Sequence, residues 1–264
     1  MSRIVLNENQ KDFIISNYNS MLNREIAEHL QVKVRSVSNF LAKNKLKRED
    51  RGSLLNRRSR KYAINEKFFN SVTEKSSYWA GFILADAYIT EKHKIVLKLQ
   101  GKDYNHLIKF KKDLSFQGVV TKGVGRRYDK EHSFCRIGFQ LKNIADDLKL
   151  NFNVDKNKSK SFIPNKLDGV YKKYFIKGFF DGNGSRYLKN NKTELISFYG
   201  NYDILTWIKE YFDNLFNKNS GSLFKKGIIY CYQLNQSSSI LFIKDFEKLN
   251  LVELDRKWSS WHDV

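Results

Sequence analysis

Proline occurs once in this 264-residue chain and cysteine twice. One proline with 14 glycines gives no basis for a collagen-like or low-complexity chain. Two cysteines cannot build a disulfide framework, which points to an intracellular protein. No apolar run approaches the roughly 18 residues of a membrane span. The opening MSRIVLNENQ turns polar too soon for a signal peptide. The histidines, His29, His93, His106, His132 and His262, form no HExxH pattern and pair with no CxxC, so a zinc site is not expected. Acid is scarce relative to base: 28 Asp+Glu against 48 Lys+Arg leave a net charge of +20. Such an excess repels itself in a compact state unless a polyanion offsets it, so nucleic acid is the default partner. A merely solubilising surface is the alternative. Hydrophobic residues make up 41% of the chain, enough for a core rather than wholesale disorder.

Residues 7–48 read as three short helices within an N-terminal domain spanning 1–48. Asn7 caps the first, with Gln10 as capping-box partner and Phe13 and Ile14 on the apolar face. Asn23 is expected to cap the second, where Ile26, Ala27 and Leu30 share one side. After a turn at 31–33 the third helix turns Val37 and Leu41 inward and leaves Arg35, Ser36, Ser38, Asn39 and Lys43 outside. The pattern is that of a helix-turn-helix, whose second helix enters the major groove. Arg and Asn suit that groove because they form bidentate bonds to guanine and adenine. Gln31 stands where such a turn favours Gly for a left-handed backbone. A three-helix protein-binding module is the alternative. Residues 49–66 read as a basic linker carrying Arg57, Arg58, Arg60 and Lys61, suited to phosphates or simply solvated. Extended, it reaches roughly 60 Å.

The rest of the chain contains a duplication. Superposing YWAGFILADAYIT at 78–90 on YFIKGFFDGNGSR places Gly81 on Gly178, Phe82 on Phe179 and Asp86 on Asn183, an offset of 97. Cys135 with Cys231, and Lys158 with Lys257, lie nearly the same distance apart. Each half reads α-β-β-α-β-β-α, giving repeats at 67–165 and 166–264. In KIVLKLQ, Ile95, Leu97 and Leu99 oppose Val96, Lys98 and Gln100. In CRIGFQL, Ile137, Phe139 and Leu141 oppose Arg136 and Gln140. Such strands bury one face and offer basic and polar side chains on the other, spaced by roughly 6.6 Å. Arg186, Lys225 and Lys226 are the candidate contacts of the second half. The faces of IIYCYQLNQ are ambiguous. Gly123-Val124-Gly125 lacks the rest of a phosphate-loop pattern and reads as a hairpin turn that places Arg126 and Arg127 at a sheet tip. Trp207 and Phe212 read as helix core.

The two motif helices carry small residues four apart, Gly81 with Ala85 and Gly178 with Gly182. These share a face and let two backbones approach. Pairing them would bring Asp86 and Asn183, at the helix ends, together beneath the sheets.

At these positions the sequence resembles the LAGLIDADG homing endonucleases, freestanding two-motif type. The motif appears as Trp79-Ala80-Gly81-Phe82-Ile83-Leu84-Ala85-Asp86-Ala87. It recurs as Ile176-Lys177-Gly178-Phe179-Phe180-Asp181-Gly182-Asn183-Gly184. NEKFFNSVTEKSSYWAGFILADAYI, KLQGKDYNHLIKFKKDL and NKSKSFIP extend the resemblance over residues 62–264. It implies an α+β fold of two pseudo-symmetric αββαββα repeats with saddle-shaped antiparallel sheets, preceded by a small all-α helix-turn-helix domain. It implies a monomer that binds an asymmetric double-stranded DNA site and cleaves it with Mg²⁺ or another divalent cation such as Mn²⁺ or Ca²⁺. It also implies a bacterial, phage-infected or organellar setting. Metal-assisted phosphodiester hydrolysis needs few protein ligands, because phosphate and water complete the shell. By this resemblance Asp86 is the retained catalytic metal ligand, the carbonyls of Ala85 and Gly182 are further ligands, and Lys158 and Lys257 are basic residues near the centre. Asp181 is structural.

Asn183 replaces the second acid. Its amide oxygen can coordinate a metal but brings no charge. The chain then reads as an endonuclease weakened or inactivated at one centre, as a DNA-binding regulator without catalysis, or as an RNA-binding intron maturase.

Overall fold

The computed structural model describes residues 6–46, 62–127, 130–157, 164, 167–189, 193–249 and 251–258. The chain divides into two compact units, Met1–Tyr62 and Ala63–Val264. The expected linker therefore ends sooner than residue 66. Ala63 O accepts from Gln117 N at 2.9 Å, and Asn65 N donates to Leu114 O at 2.8 Å. Arg57, Arg58, Arg60 and Lys61 lie outside the described residues.

In the first unit, α1 (Glu8–Asn17), α2 (Asn23–His29) and α3 (Val34–Lys43) enclose a core of Leu6, Ile14, Ile26, Ala27, Val37 and Leu41. The Asn7–Gln10 capping box is formed, with reciprocal bonds of 2.8 and 3.0 Å. Asn23 does not cap α2. Leu22 precedes the helix and donates its N–H to Glu25 at 2.8 Å, and Asn23 instead donates to Ser38 Oγ at 2.9 Å. Ser38 is thereby turned toward α2 rather than outward, whereas Arg35, Asn39 and Lys43 are exposed and Ser36 is half-buried. Gln31 adopts φ 53, the left-handed conformation that its place in the turn demands.

The second unit starts its repeats with two long helices, α4 (Glu74–Asp86) and α7 (Gly169–Asn183). Thr73 caps α4: its Oγ1 accepts from Ser76 N at 3.1 Å, and Ser76 Oγ accepts from Thr73 N at 2.9 Å. After α4 come β1 (Ala87–Ile89), β2 (Lys94–Gln100), α5 (Tyr104–Asp113), β3 (Thr121–Arg127), β4 (Lys130–Gln140) and α6 (Lys142–Phe152). After α7 come β5 (Gly184–Lys189), β6 (Thr193–Gly200), α8 (Tyr202–Phe216), β7 (Gly221–Lys226), β8 (Ile229–Leu234) and α9 (Gln236–Phe246). A short α10 (Asp255–Trp258) is added to the second repeat. Both sheets are antiparallel and share one topology, β1-β2-β4-β3 and β5-β6-β8-β7. The α+β fold of two αββαββα repeats is therefore as expected. Among the described residues no helix is long and apolar enough to cross a membrane.

One face of each sheet packs on helices. Ile95, Leu97, Leu99, Ile137 and Phe139 are buried there beside Leu107 and Phe110 of α5 and Ile144 and Leu148 of α6. In the second repeat Phe198, Phe212, Phe242 and Phe246 form a ring cluster with centroids 4.4 to 5.9 Å apart. The ambiguous strand β8 resolves here. Tyr232 stacks with Phe198 and Phe212 on the helix side, so Cys231, its neighbour, lies on the outer face in register with Tyr199. Cys135 is on the helix side with Ile137 and Phe139. The two cysteines thus face opposite ways and are not structural equivalents, since a one-residue difference in register reverses a strand's faces. Gly123-Val124-Gly125 lies within β3 rather than in a turn, with Gly123 beneath the Phe134 ring. Phe212 is core. Trp207 is only half-buried and borders a surface cavity of about 420 Å³ with Gly169 and Lys172.

Candidate functional site

The site begins at the contact between α4 and α7. A Cβ on Gly81 would overlap the carbonyl of Phe175 and stand 3.0 Å from Phe179 N. A Cβ on Gly178 would overlap the carbonyl of Tyr78 and stand 3.0 Å from Phe82 N. The two contacts exchange under the 97-residue offset, so the helices meet about a pseudo-two-fold axis. One turn further on, Ala85 Cβ fills the space that a side chain at Gly182 would need, and Asp86 Oδ2 lies 3.4 Å from that same point. The expected pairing through small residues is therefore present.

Each helix passes directly into the first strand of its repeat. Ala87, with φ −81 and ψ 155, ends α4, and Gly184, with φ −97 and ψ 165, ends α7. Asp86 and Asn183 are consequently the last helical residues. Asp86 is exposed. Asn183 is half-buried and borders a cavity of about 440 Å³ with Ala85, Phe179 and Asp203. Helix C-termini carry partial negative charge, which favours a cation where two of them converge.

Lys257 holds the end of α7. Its ammonium donates to the carbonyls of Phe180 and Asp181 at 2.6 Å each and of Gly184 at 2.8 Å. It is 6% exposed. Burial, followed by repulsion from Arg256, lowers its pKa to about 8, while Asp181, Asp86 and Asp103 pull the other way. With three donors on three carbonyls, Lys257 orders the helix end that presents Asn183. Its expected counterpart, Lys158, lies outside the described residues.

Asp181 is fully buried and ties the repeats together. Tyr78 Oη of α4 donates to it at 2.6 Å, Trp258 Nε1 at 2.6 Å and Leu254 N at 2.9 Å. Burial still raises its pKa despite these donors and the nearby Lys257. The C-terminal segment reaches the first repeat as well. Arg256 Nε contacts both carboxylate oxygens of Asp103 at 3.0 and 3.2 Å, and Lys109 donates to Glu253 O at 3.0 Å. Lys177, inside the second motif, is buried and donates to Glu253 at 2.9 Å and to Phe246 O at 3.1 Å. Sequence reasoning missed Tyr78, Lys177, Glu253, Arg256 and Trp258. Tyr78 and Lys177 lie within the motif helices, and the charge-balanced LVELDRKW carries no pattern that marks the others.

The outer sheet faces carry the other expected side chains unevenly. Lys98, Gln100, Arg136 and Gln140 are exposed on the outer face of the first sheet, and Lys98 Nζ lies 4.1 Å from the Phe134 ring centroid. Arg126 is at the hairpin tip but on the helix-side register with Glu131, its ion-pair partner at 3.4 Å. The side chain of Arg127 is outside the described residues. Arg186 corrects the expectation outright. It is paired in register with Ile196 on the helix side, its side chain is 5% exposed, and it contacts Glu247 at 3.4 Å and Lys257 O at 3.3 Å. Lys226 lies on the outer face, 5.3 Å from the Tyr199 ring centroid, while the neighbouring Lys225 belongs to the other face.

The donor set near Asp86 comprises one carboxylate, one carboxamide and helix-end carbonyls. Among the described residues no group of three or more His, Cys, Asp or Glu could enclose a metal. These oxygens fit a hard cation that takes the rest of its shell from water and a bound phosphate, and do not fit a protein-enclosed metal.

No family model matches the chain, and no curated protein matches it. Solved structures do. The homing endonuclease I-WcaI bound to its DNA recognition sequence is similar with a TM-score of 0.58 at 15% identity, over 82% of this chain and 96% of that one. Mesophilic variants of the homing endonuclease I-DmoI give a TM-score of 0.48 at 14% identity, over 74% of this chain and 99% of that one. The N-terminal LAGLIDADG domain of DUF199/WhiA gives 0.46 at 17% identity, over 73% and 92%. With its paired motif helices and two matched sheets, this chain has the fold of the LAGLIDADG homing endonucleases.

Proposed function

We propose that the chain is a monomeric, site-specific endonuclease of duplex DNA in which Asn183 weakens one of two hydrolytic centres. The observation that carries this reading is the close pairing of α4 and α7, which sets the exposed Asp86 carboxylate against Gly182, the residue before Asn183. A divalent ion such as Mg²⁺, held by Asp86, Asn183 and the carbonyls of Ala85 and Gly182, would supply phosphate polarisation and water activation. The chain's own residues position the substrate. Lys98 and Arg136 offer cations toward the duplex from the first sheet and Lys226 from the second, while Lys257 fixes the end of α7. Lys158 would act as its counterpart. In the N-terminal unit α2 and α3 would serve as a helix-turn-helix, with Arg35, Asn39 and Lys43 on the groove side. The basic run Arg57, Arg58, Arg60 and Lys61 would follow phosphates.

A duplex selected by binding from a random library, then incubated with Mg²⁺ or Mn²⁺ and resolved strand by strand, tests this. Wild type should cut slowly or on one strand. Asn183→Asp should raise double-strand cleavage by about tenfold or more, on the scale of a restored charged ligand. Asp86→Asn should reduce it to background. A selected duplex that Asn183→Asp leaves intact would overturn the reading. That outcome would favour the second one, a DNA-binding regulator, whose motive is the missing acid itself.

A further inference from the structure

We infer that the two sheets read half-sites of opposite base character: a guanine-containing half under the first sheet, and a thymine- and adenine-rich half under the second. The inference rests on the duplex-DNA reading above and specifies its ligand. The register decides which side chains share each outer face. In the first sheet Lys94 pairs with Gln140 and Lys98 with Arg136, and all four are exposed. The Phe134 ring beneath Lys98 holds that ammonium at one place on the face. That face also carries Tyr88, 67% exposed and in register with Val96, so the second sheet differs in its poverty of cations and its apolar middle rather than in having an exposed ring. In the second sheet Tyr187 is 61% exposed and Phe224 is 43% exposed. Tyr199 and Gln233 are half-buried between them on the adjoining strands β6 and β8. Cys231, 2% exposed, packs in register between Tyr199 and Phe224, so the middle of this face is apolar. Among the described side chains its one cation is Lys226, near the strand end.

These two chemistries select different base edges. A lysine or arginine has donors only, and the major-groove edge with two acceptors and no donor is guanine, through O6 and N7. The Phe224 ring has no hydrogen-bonding match to guanine or cytosine but makes apolar contact with the thymine C5 methyl, whereas the Tyr187 and Tyr199 hydroxyls donate or accept at any base edge and do not discriminate. A carboxamide brings a donor and an acceptor, which matches N6 and N7 of adenine, for Gln233 in the second sheet as for Gln100 and Gln140 in the first, so the guanine preference belongs to the positions under Lys94, Lys98 and Arg136. Side chains on one strand face are spaced by roughly 6.6 Å and bases along one DNA strand by about 3.4 Å, so alternate residues meet every second base pair.

The test uses the full chain and a random duplex library, with Asp86→Asn as background so that bound DNA stays intact. Enriched sites should show guanine in one half and A·T pairs in the other. Arg136→Ala should lower the guanine preference about tenfold in its half and leave the other half unchanged. Replacing thymine by uracil removes only the methyl group and needs no protein variant. It should weaken binding several-fold in the A·T half and not in the guanine half. Enriched sites whose halves have the same composition, or a uracil effect equal in both halves, would overturn the inference while leaving the DNA reading standing. Absence of any enriched duplex would overturn the DNA reading and the inference with it.

Discussion

His106 is 1% exposed, its ring centroid 4.5 Å from that of Phe82 and 4.9 Å from that of Trp79, with Nε2 3.3 Å from Tyr78 Oη. Burial, then repulsion from Lys109, lowers its pKa to about 3. In the unfolded chain the imidazole titrates near 6.5. Between those values the folded state holds fewer protons than the unfolded one, so the contribution of His106 is present above pH 6.5 and is lost as pH falls toward 3. Moving from pH 7 to pH 5 should cost wild type about 2 kcal/mol more than His106→Gln, read as urea-unfolding free energies at the two pH values. An equal pH dependence in both proteins would show that His106 is not buried in its neutral form. Among single residues, the helix-end positions of Asp86 and Asn183 were legible because a nine-residue motif repeats with fixed spacing. His106 was not: a histidine in a polar-looking stretch gives no sign that helix α5 turns it into an aromatic layer. Arg186 failed for a related reason. A strand shows its alternation in the sequence, but Gly184-Ser185-Arg186 lacks the apolar residues that would mark which face is inner.

At the scale of elements, the α4–α7 pair is the joint on which the site depends. Gly81 and Gly178 each press against a carbonyl of the opposite helix. Backbone cannot yield as a flexible side chain can, so Gly81→Ala or Gly178→Ala should separate the helices and cost about 3 kcal/mol or more in denaturant unfolding. The double variant should cost less than the sum, because one separation relieves both overlaps. Additive losses would mean that the two contacts are independent rather than one joint. The joint was legible from small residues four apart at matching places in two motifs. β2 and β4 were legible from strict alternation. β8 was not, because Tyr232 on the inner face and Cys231 on the outer face are both buried and the alternation disappears. The clasp formed by Glu253, Leu254, Arg256, Lys257 and Trp258 had no local signature at all. Its bonds to Asp181 and Asp103 connect residues 73 to 153 positions apart, and no periodicity within the segment encodes a partner at that distance.

For the whole molecule, the net charge of +20 is spread unequally. The first sheet's outer face presents Lys94, Lys98 and Arg136, the second chiefly aromatic and hydroxyl groups, and the N-terminal unit presents Arg35 and Lys43. Each cation that neutralises a phosphate releases a counterion, and so adds nearly one to the slope of log affinity against log salt. If six or more such contacts form, the full chain should lose about a thousandfold in affinity for its selected duplex between 50 and 200 mM salt. The N-terminal unit has its own buried cluster and the body its own sheets, so residues 63–264 should fold without residues 1–62. That shortened chain should bind with a shallower slope yet retain the base preference of both half-sites, since its sheet faces are unchanged. Arg136→Ala in the full chain should reduce the slope by no more than about one while relaxing one base position, the mark of a residue that reads bases rather than only phosphates. A slope unchanged by removing residues 1–62 would assign the N-terminal unit some task other than duplex binding, and would leave the body alone to account for the charge.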